Sequence, residues 1–286
     1  MILGKNKKII KALVIVIAIA FATVALSGCL GGENGGKQTL IIGGSTTVFP
    51  IAQAAADAYM DEHPNADIQV SGTGSSNGIS AVAEGSADIG MASRELKSSE
   101  ITSYPNLEQH IIATDGIALI VHTSNQVRQL KLDQIVGIYN GTYTNWNQVG
   151  GANAEIVVIG RDSASGTREF FYDEVMNKED FVSTMLEKNS NGAVYSTVKT
   201  TPGAIGYVGL GYVDSGVGAV YLFNEDTDEY VEPAVQNVLD GKYPVFRNLN
   251  MFTNGEATGL AKEFLDFIKS DEGQEIVETE GFVPIN

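Results

Sequence analysis

Three times in this chain a short apolar run leads through a cluster of Gly, Ser and Thr into a helix-patterned stretch. The first run, TLIIG at 39–43, opens into Gly43-Gly44-Ser45-Thr46-Thr47 and a helical pattern over 49–62. The second, DIQVS at 67–71, opens into a Gly/Ser loop over 72–78 and a short helix over 79–84. The third, IVVI at 156–159, opens into a polar loop over 161–167 and a helix over 168–176. Apolar runs of this length suit buried strands, and strands that alternate with helices define an α/β fold with mostly parallel sheets. Further strands are expected over 87–92, at 111–112, over 117–121 with Asp115-Gly116 before it, over 204–208 and over 219–223. A helix is expected over 132–139. Another runs over 259–270, with Leu260, Phe264, Leu265, Phe267 and Ile268 on one face and an extension over 275–278. A length of 286 residues allows one large domain or two ordinary ones.

The three loops share a chemistry. Each sets small hydroxyl residues and free backbone N–H groups at a helix N-terminus, where the donors and the helix dipole favour an anion. Glycine lets the backbone approach a ligand closely, and hydroxyls supply directional donors. Arg161 adds a planar fork that matches a tetrahedral oxyanion. The competing explanation for any one loop is plain N-capping, which also favours Ser and Thr. Three such loops, one carrying an arginine in a chain with only 18 Lys+Arg, favour the anion site.

Composition removes other classes. Against those 18 bases stand 35 Asp+Glu, a formal net charge of −17, which argues against a protein that coats nucleic acid phosphates. The single cysteine forbids an intramolecular disulfide and a cysteine zinc cluster. The three histidines, His63, His110 and His122, are scattered, so neither a metal site nor a cofactor is expected. Asp88, Asp115 and Asp162 lie near the loops without forming a catalytic pair, and Trp146 reads as packing.

The N-terminus reads as an export signal. Lys5, Lys7, Lys8 and Lys11 precede an apolar stretch from Ala12 to Leu26 that is short for a membrane-spanning helix. Leu26-Ser27-Gly28-Cys29 resembles the lipobox of prokaryotic lipoproteins, and the chain's only cysteine sits at the position that would take lipid. Residues 1–28 are therefore expected to be a lipoprotein signal peptide and 29–38 a Gly-rich tether. The working protein would be extracytoplasmic, lipid-anchored to the outer face of the cytoplasmic membrane.

One motif points elsewhere. Gly74-Ser75-Ser76-Asn77-Gly78 matches G-x-S-x-G, the nucleophile elbow of α/β-hydrolases. It would make Ser75 or Ser76 a nucleophile, with His110 or His122 as the base. Glycine and serine are abundant here, so a chance match is the simpler explanation.

Taken together, the motifs resemble the periplasmic phosphate-binding protein of the ABC phosphate transporter, the PstS-type family. The matching segments are GSTTVFP at 44–50, SGTGSSNGI at 71–79, DIGMASREL at 88–96, DGIALIVH at 115–122, RDSASGTREF at 161–170, PGAIGYVGL at 202–210 and EGQEIVETEGFVPI at 272–285. They keep the family's order across nearly the whole chain after the signal. The resemblance implies a two-lobed Venus-flytrap fold with a two-strand hinge. Lobe 1 would hold residues 39–116 and 250–286, and lobe 2 residues 117–249. It implies capture of inorganic phosphate without chemistry, by a monomer, and delivery to the permease and ATPase subunits of an ABC importer.

Carried over position by position, the phosphate contacts fall on Thr46, Thr47, Val48 and Phe49 in the first loop and Ser75 in the second. In the loop after 88–92 they fall on Ser93, and in the last loop on Arg161, Ser165, Gly166 and Thr167. Some members carry an Asp where this chain has Ser93, and that Asp accepts the proton of hydrogen phosphate. Its absence leaves sulfate or molybdate as the alternative ligand. Asp162, beside Arg161, is the favoured substitute acceptor among Asp88, Asp115 and Asp162. Arg94 is expected either to add charge to the site or to cap the lobe surface.

Overall fold

The computed structural model describes residues 36–285; the signal, Cys29 and most of the tether lie outside them. The chain starts with a parallel βαβαβ run. Strand β1 (Gln38–Gly44) leads to α1 (Phe49–Glu62), β2 (Ala66–Gly72), α2 (Ser75–Ala83) and β3 (Ile89–Ala92), and the strands lie in the order β2-β1-β3. Pro50 in the first turn of α1 fits a position whose N–H would have no helical partner. The alanine-rich body of α1 then buries Ile51, Ala52, Ala55, Ala56 and Tyr59. After a short helix, α3 (Ser98–Ser103), the chain enters β4 (Leu107–Val121).

β4 is the mechanical centre of the molecule. Fifteen residues at roughly 3.3 Å each make it about 50 Å long. The sequence pattern suggested two strands broken at Asp115-Gly116; the structure has one, because both residues keep extended geometry and pair across the sheet. Beyond Val121 come β5 (Gln129–Leu130), α4 (Leu132–Tyr139), β6 (Val157–Arg161) and α5 (Gly166–Phe170), which widens into a π-type turn at Phe171–Val175. Then follow β7 (Leu186–Lys188), α6 (Asn191–Thr200), β8 (Ala204–Gly209), β9 (Gly218–Asn224), β10 (Glu229–Val231) and α7 (Val235–Leu239). The chain returns through β11 (Phe246–Asn254) and ends in α8 (Gly259–Lys269) and α9 (Asp271–Thr279). The 259–270 helix expected from the pattern stops at Lys269, because Ser270 turns to cap α9 by accepting from the Gly273 amide.

The two ends of β4 serve two lobes. Its first ten residues pair antiparallel with β11, which also pairs with β3; its last five pair with β8, and three of those five with β9. One apolar core gathers Leu40, Ile42, Ile51, Ile68, Ile89, Met91, Leu249 and Phe264. A second gathers Ile117, Leu119, Val121, Tyr139, Trp146, Phe171, Tyr207 and Tyr243. Ala118 and Ile120, on the opposite face of β4, pack with Ile159, Val194 and Val198 in a further cluster. This alternation buries both faces of β4 in the second lobe, as expected of a strand with helices on either side. Trp146 is core, its indole N–H donating to the Gly203 carbonyl at 2.9 Å.

Candidate functional site

The loops at the strand ends of both lobes meet around one buried polar cluster. Thr46, Thr47, Ser75, Ser93, Arg161, Ser165 and Thr167 are all at most 7% exposed. Such burial of hydroxyls and a guanidinium is costly unless each group finds a partner.

In the first loop, Ser45 takes over the capping of α1. Its Oγ accepts from the amides of Thr47 at 3.1 Å and Val48 at 3.4 Å, and its carbonyl accepts from the Phe49 amide at 3.0 Å. The amides of Thr47, Val48 and Phe49 are thus already bonded within the loop, and Val48 lies in the first core. The Thr46 and Thr47 hydroxyls are left to face the second lobe. Asn191, at the start of α6, donates from Nδ2 to both, at 3.1 and 3.0 Å. The Tyr212 hydroxyl donates to the Thr46 carbonyl at 2.7 Å.

In the second loop the helix begins at Ser75, four residues before the sequence pattern suggested. Gly74 precedes it at φ +100°, a conformation that disfavours a side chain. A Cβ there would also lie 2.9 Å from the Ala164 carbonyl of the opposite lobe. The close approach lets the Ser76 amide donate to Ala164 at 3.1 Å. Ser75 Oγ accepts from the Ser93 amide at 3.1 Å and lies 3.3 Å from Ser93 Oγ. Gly166 faces this pair: a Cβ on it would fall 2.5 Å from Ser75 Oγ and 3.0 Å from Ser93 Oγ.

Arg161 ends β6 rather than starting a loop. Its strand end is held by an aromatic stack, Phe171 on Tyr207 at 4.3 Å, and the Tyr207 hydroxyl accepts from the Arg161 amide at 3.1 Å. Nε and Nη2 donate to the carbonyls of Lys188 at 3.2 Å and Asn189 at 3.3 Å, while Nη1 is buried without a partner among the described residues. Burial pushes the guanidinium below its ordinary pKa, though arginine keeps its proton. Ser165 caps α5 by accepting from the Arg168 amide at 3.2 Å. Thr167 turns its hydroxyl to Thr47, oxygen to oxygen 3.1 Å.

Two site residues carried no loop signal. Arg247, on β11, and Asp115, opposite it on β4, form an ion pair of 2.9 Å that is buried at both ends. Arg247 Nη2 also donates to Thr167 Oγ1 at 2.9 Å. Burial pushes the Asp115 carboxyl up against the pull of Arg247 and the Leu210 amide. Asp115 is joined to the hydroxyl cluster through Arg247. Asp162 is half-buried, with Oδ1 enclosed and unpartnered among the described residues. Asp88 is exposed and accepts from the Ile41 amide at 2.7 Å, away from the cluster.

Arg94 is turned away from the hydroxyls. It donates to both oxygens of Glu100, at 2.7 and 2.8 Å, and to Ser76 Oγ, and its Nε pairs with Glu169 of the opposite lobe at 2.8 Å. Its charge is therefore met by two carboxylates. The hydrolase arrangement does not assemble: His110 bonds Thr253 and His122 bonds Ser124, and neither bonds Ser75 or Ser76.

Two lobes bridged by antiparallel strands, with hydroxyls from both lobes meeting in one buried cluster and a buried arginine on the strand that leads into it, define a solute-binding protein for an anion. A model of the PBP superfamily domain matches residues 31–272. The chain is 36% identical over 256 residues to the phosphate-binding protein PstS of Bacillus subtilis (strain 168), covering 89% of this chain and 83% of that one. It is also similar to the crystal structure of a putative phosphate ABC transporter substrate-binding protein with bound phosphate from Clostridium perfringens. There the TM-score is 0.82 at 39% identity, covering 87% of this chain and 100% of that one. An ABC-type phosphate transport receptor from Vibrio cholerae aligns with TM-score 0.69 at 33% identity, covering 85% of this chain and 99% of that one. The chain belongs to the PstS-type phosphate-binding proteins of the PBP superfamily.

Proposed function

We propose that this protein captures inorganic phosphate outside the cytoplasmic membrane and delivers it to an ABC importer. The observation that carries the reading is Arg161, 1% exposed and with Nη1 unpartnered among the described residues, at the end of the strand that leads into the Ser165–Thr167 loop. A buried guanidinium needs an anion or carbonyls at each N–H, and a tetrahedral oxyanion offers acceptors in several directions at once. The ligand set would be Thr46, Thr47, Ser75, Ser93, Arg161, Ser165, Gly166 and Thr167, with Val48 and Phe49 shaping the first loop. Lobe 1 would comprise residues 39–116 with 250–286, and lobe 2 residues 117–249. β4 and the strand entry at Phe246 would serve as the hinge.

The finer account adds a lipid on Cys29, permease and ATPase subunits as partners, and a monomeric receptor. Native mass spectrometry of protein gently extracted from membranes and incubated with phosphate tests anchor and ligand together. The expected mass is that of a lipidated chain starting at Cys29 with one phosphate. An unmodified full-length mass contradicts the anchor, and a failure to retain phosphate contradicts the ligand.

A further inference from the structure

The sequence signal for the site lies in loops, yet two of its hydrogen-bond donors, Arg247 and Asn191, come from outside them. Arg247 and Asp115 are directly opposite in the β4–β11 register, so the sheet itself fixes their meeting. Asp115 Oδ2 accepts from Arg247 Nε at 3.2 Å and Nη2 at 2.9 Å, and Asp115 Oδ1 accepts from the Leu210 amide at 2.8 Å. The guanidinium then reaches on with Nη2 to Thr167 Oγ1 at 2.9 Å and Thr47 Oγ1 at 3.4 Å, while its Nη1 is buried and unpartnered among the described residues.

The proton count at these threonines is constrained. An arginine has donors only, so the Thr167 oxygen must accept from Arg247. Asn191 is oriented by the Gly209 amide, which donates to Oδ1 at 3.2 Å, so Nδ2 must be the group on Thr46 and Thr47. Three hydroxyl oxygens thereby each accept from a fixed donor. Between Thr47 and Thr167 one hydroxyl proton is shared across 3.1 Å. The other proton of that pair and the Thr46 proton remain to be given away. An anion built of acceptor oxygens needs such donors.

We propose that Arg247, held by Asp115, is a positioning residue that commits the Thr47–Thr167 hydroxyl pair to donate its one remaining proton toward the bound anion. This rests on the phosphate-site reading above. Asp115 cancels the charge of Arg247, so the pair orders the hydroxyls without adding net charge, and Arg161 supplies the positive charge of the site.

Arg247→Lys tests this without leaving Asp115 unpaired. Lysine keeps the charge but loses the planar Nε–Nη2 clamp on Asp115, so its rotating ammonium is not held in the direction that serves Thr167. By calorimetric titration, the phosphate Kd should rise on the order of tenfold, with the ligand-free melting midpoint close to wild type. Thr167→Val removes the hydroxyl through which Arg247 acts. Adding Arg247→Lys to Thr167→Val should therefore weaken binding by no more than about threefold further, since residues in one network couple. An Arg247→Lys Kd within threefold of wild type, or a double variant whose loss is the full product of the two single losses, overturns the proposal. If wild type itself binds no phosphate, the functional reading fails first and this inference falls with it.

Discussion

The hydroxyl oxygens of Thr47 and Thr167 stand 3.1 Å apart, although 120 positions of sequence separate them. Thr47 follows β1 in the first lobe and Thr167 lies in α5 of the second, so their contact measures closure of the cleft. The Ser76-to-Ala164 hydrogen bond closes the same seam at the backbone. In this arrangement the polar cluster is sealed from water. Donors there act in a low effective dielectric, where each is worth more than at the surface.

Closure depends on the absence of a side chain at Gly74. Gly74→Ala would bring a methyl to 2.9 Å from the Ala164 carbonyl and add the cost of a positive φ. Phosphate affinity is expected to fall by at least about tenfold, since a loss of 1.4 kcal/mol is tenfold. Small-angle scattering should show a smaller compaction on adding phosphate than wild type shows. Unchanged compaction with unchanged affinity would mean that the seam does not govern closure.

Ser93 sets the expected selectivity. Its hydroxyl both donates and accepts, whereas an ionised carboxylate only accepts and repels an anion that offers no proton. Wild type should therefore prefer phosphate to sulfate by less than Ser93→Asp does. Titrations of both anions at pH 6 and pH 8 check this. Wild type that ignores sulfate, paired with a Ser93→Asp variant that binds neither anion, would move the discriminating acceptor to Asp162 or Asp115.

Arg94 bridges the lobes outside the hydroxyl cluster. Its pair with Glu100 lies within the first lobe, whereas its bond to Glu169, shared with Lys97 at 2.9 Å, joins opposite lobes. Glu169→Gln should speed phosphate release by about threefold to tenfold at low salt. That difference should shrink at high salt, because partly exposed pairs are weak and screened. Stopped-flow release rates that match wild type at low salt would show that this interlobe ion pair does not slow release.

The strand-loop-helix grammar made the α/β class and most of the buried polar cluster legible, because those residues sit where short apolar runs break into Gly/Ser/Thr. Arg247 and Asn191 were not legible in that way. β11 reads FRNLNMFTN, and its inward positions include Arg247, Asn250 and Thr253, so polar residues hide the alternation that would mark a buried strand. The stretch before α6 reads as a polar loop; only the structure shows Ser190 capping it, by accepting from the Ala193 amide. Asp115 was visible as an acid, but its partner lay 132 positions away across the sheet. Arg94, adjacent to a site residue in sequence, could be assigned to the rim only from its carboxylate partners.

The central claim is that the anion is phosphate and that Arg161 carries its charge. Calorimetric titration of phosphate into the purified protein, wild type beside Arg161→Met, tests this most directly. Wild type should bind one phosphate per chain. The variant should lose about 100-fold in affinity, on the order of 3 kcal/mol for a charge-assisted bond pair. A wild-type chain that takes up no phosphate, or an Arg161→Met variant within threefold of it, would contradict the account.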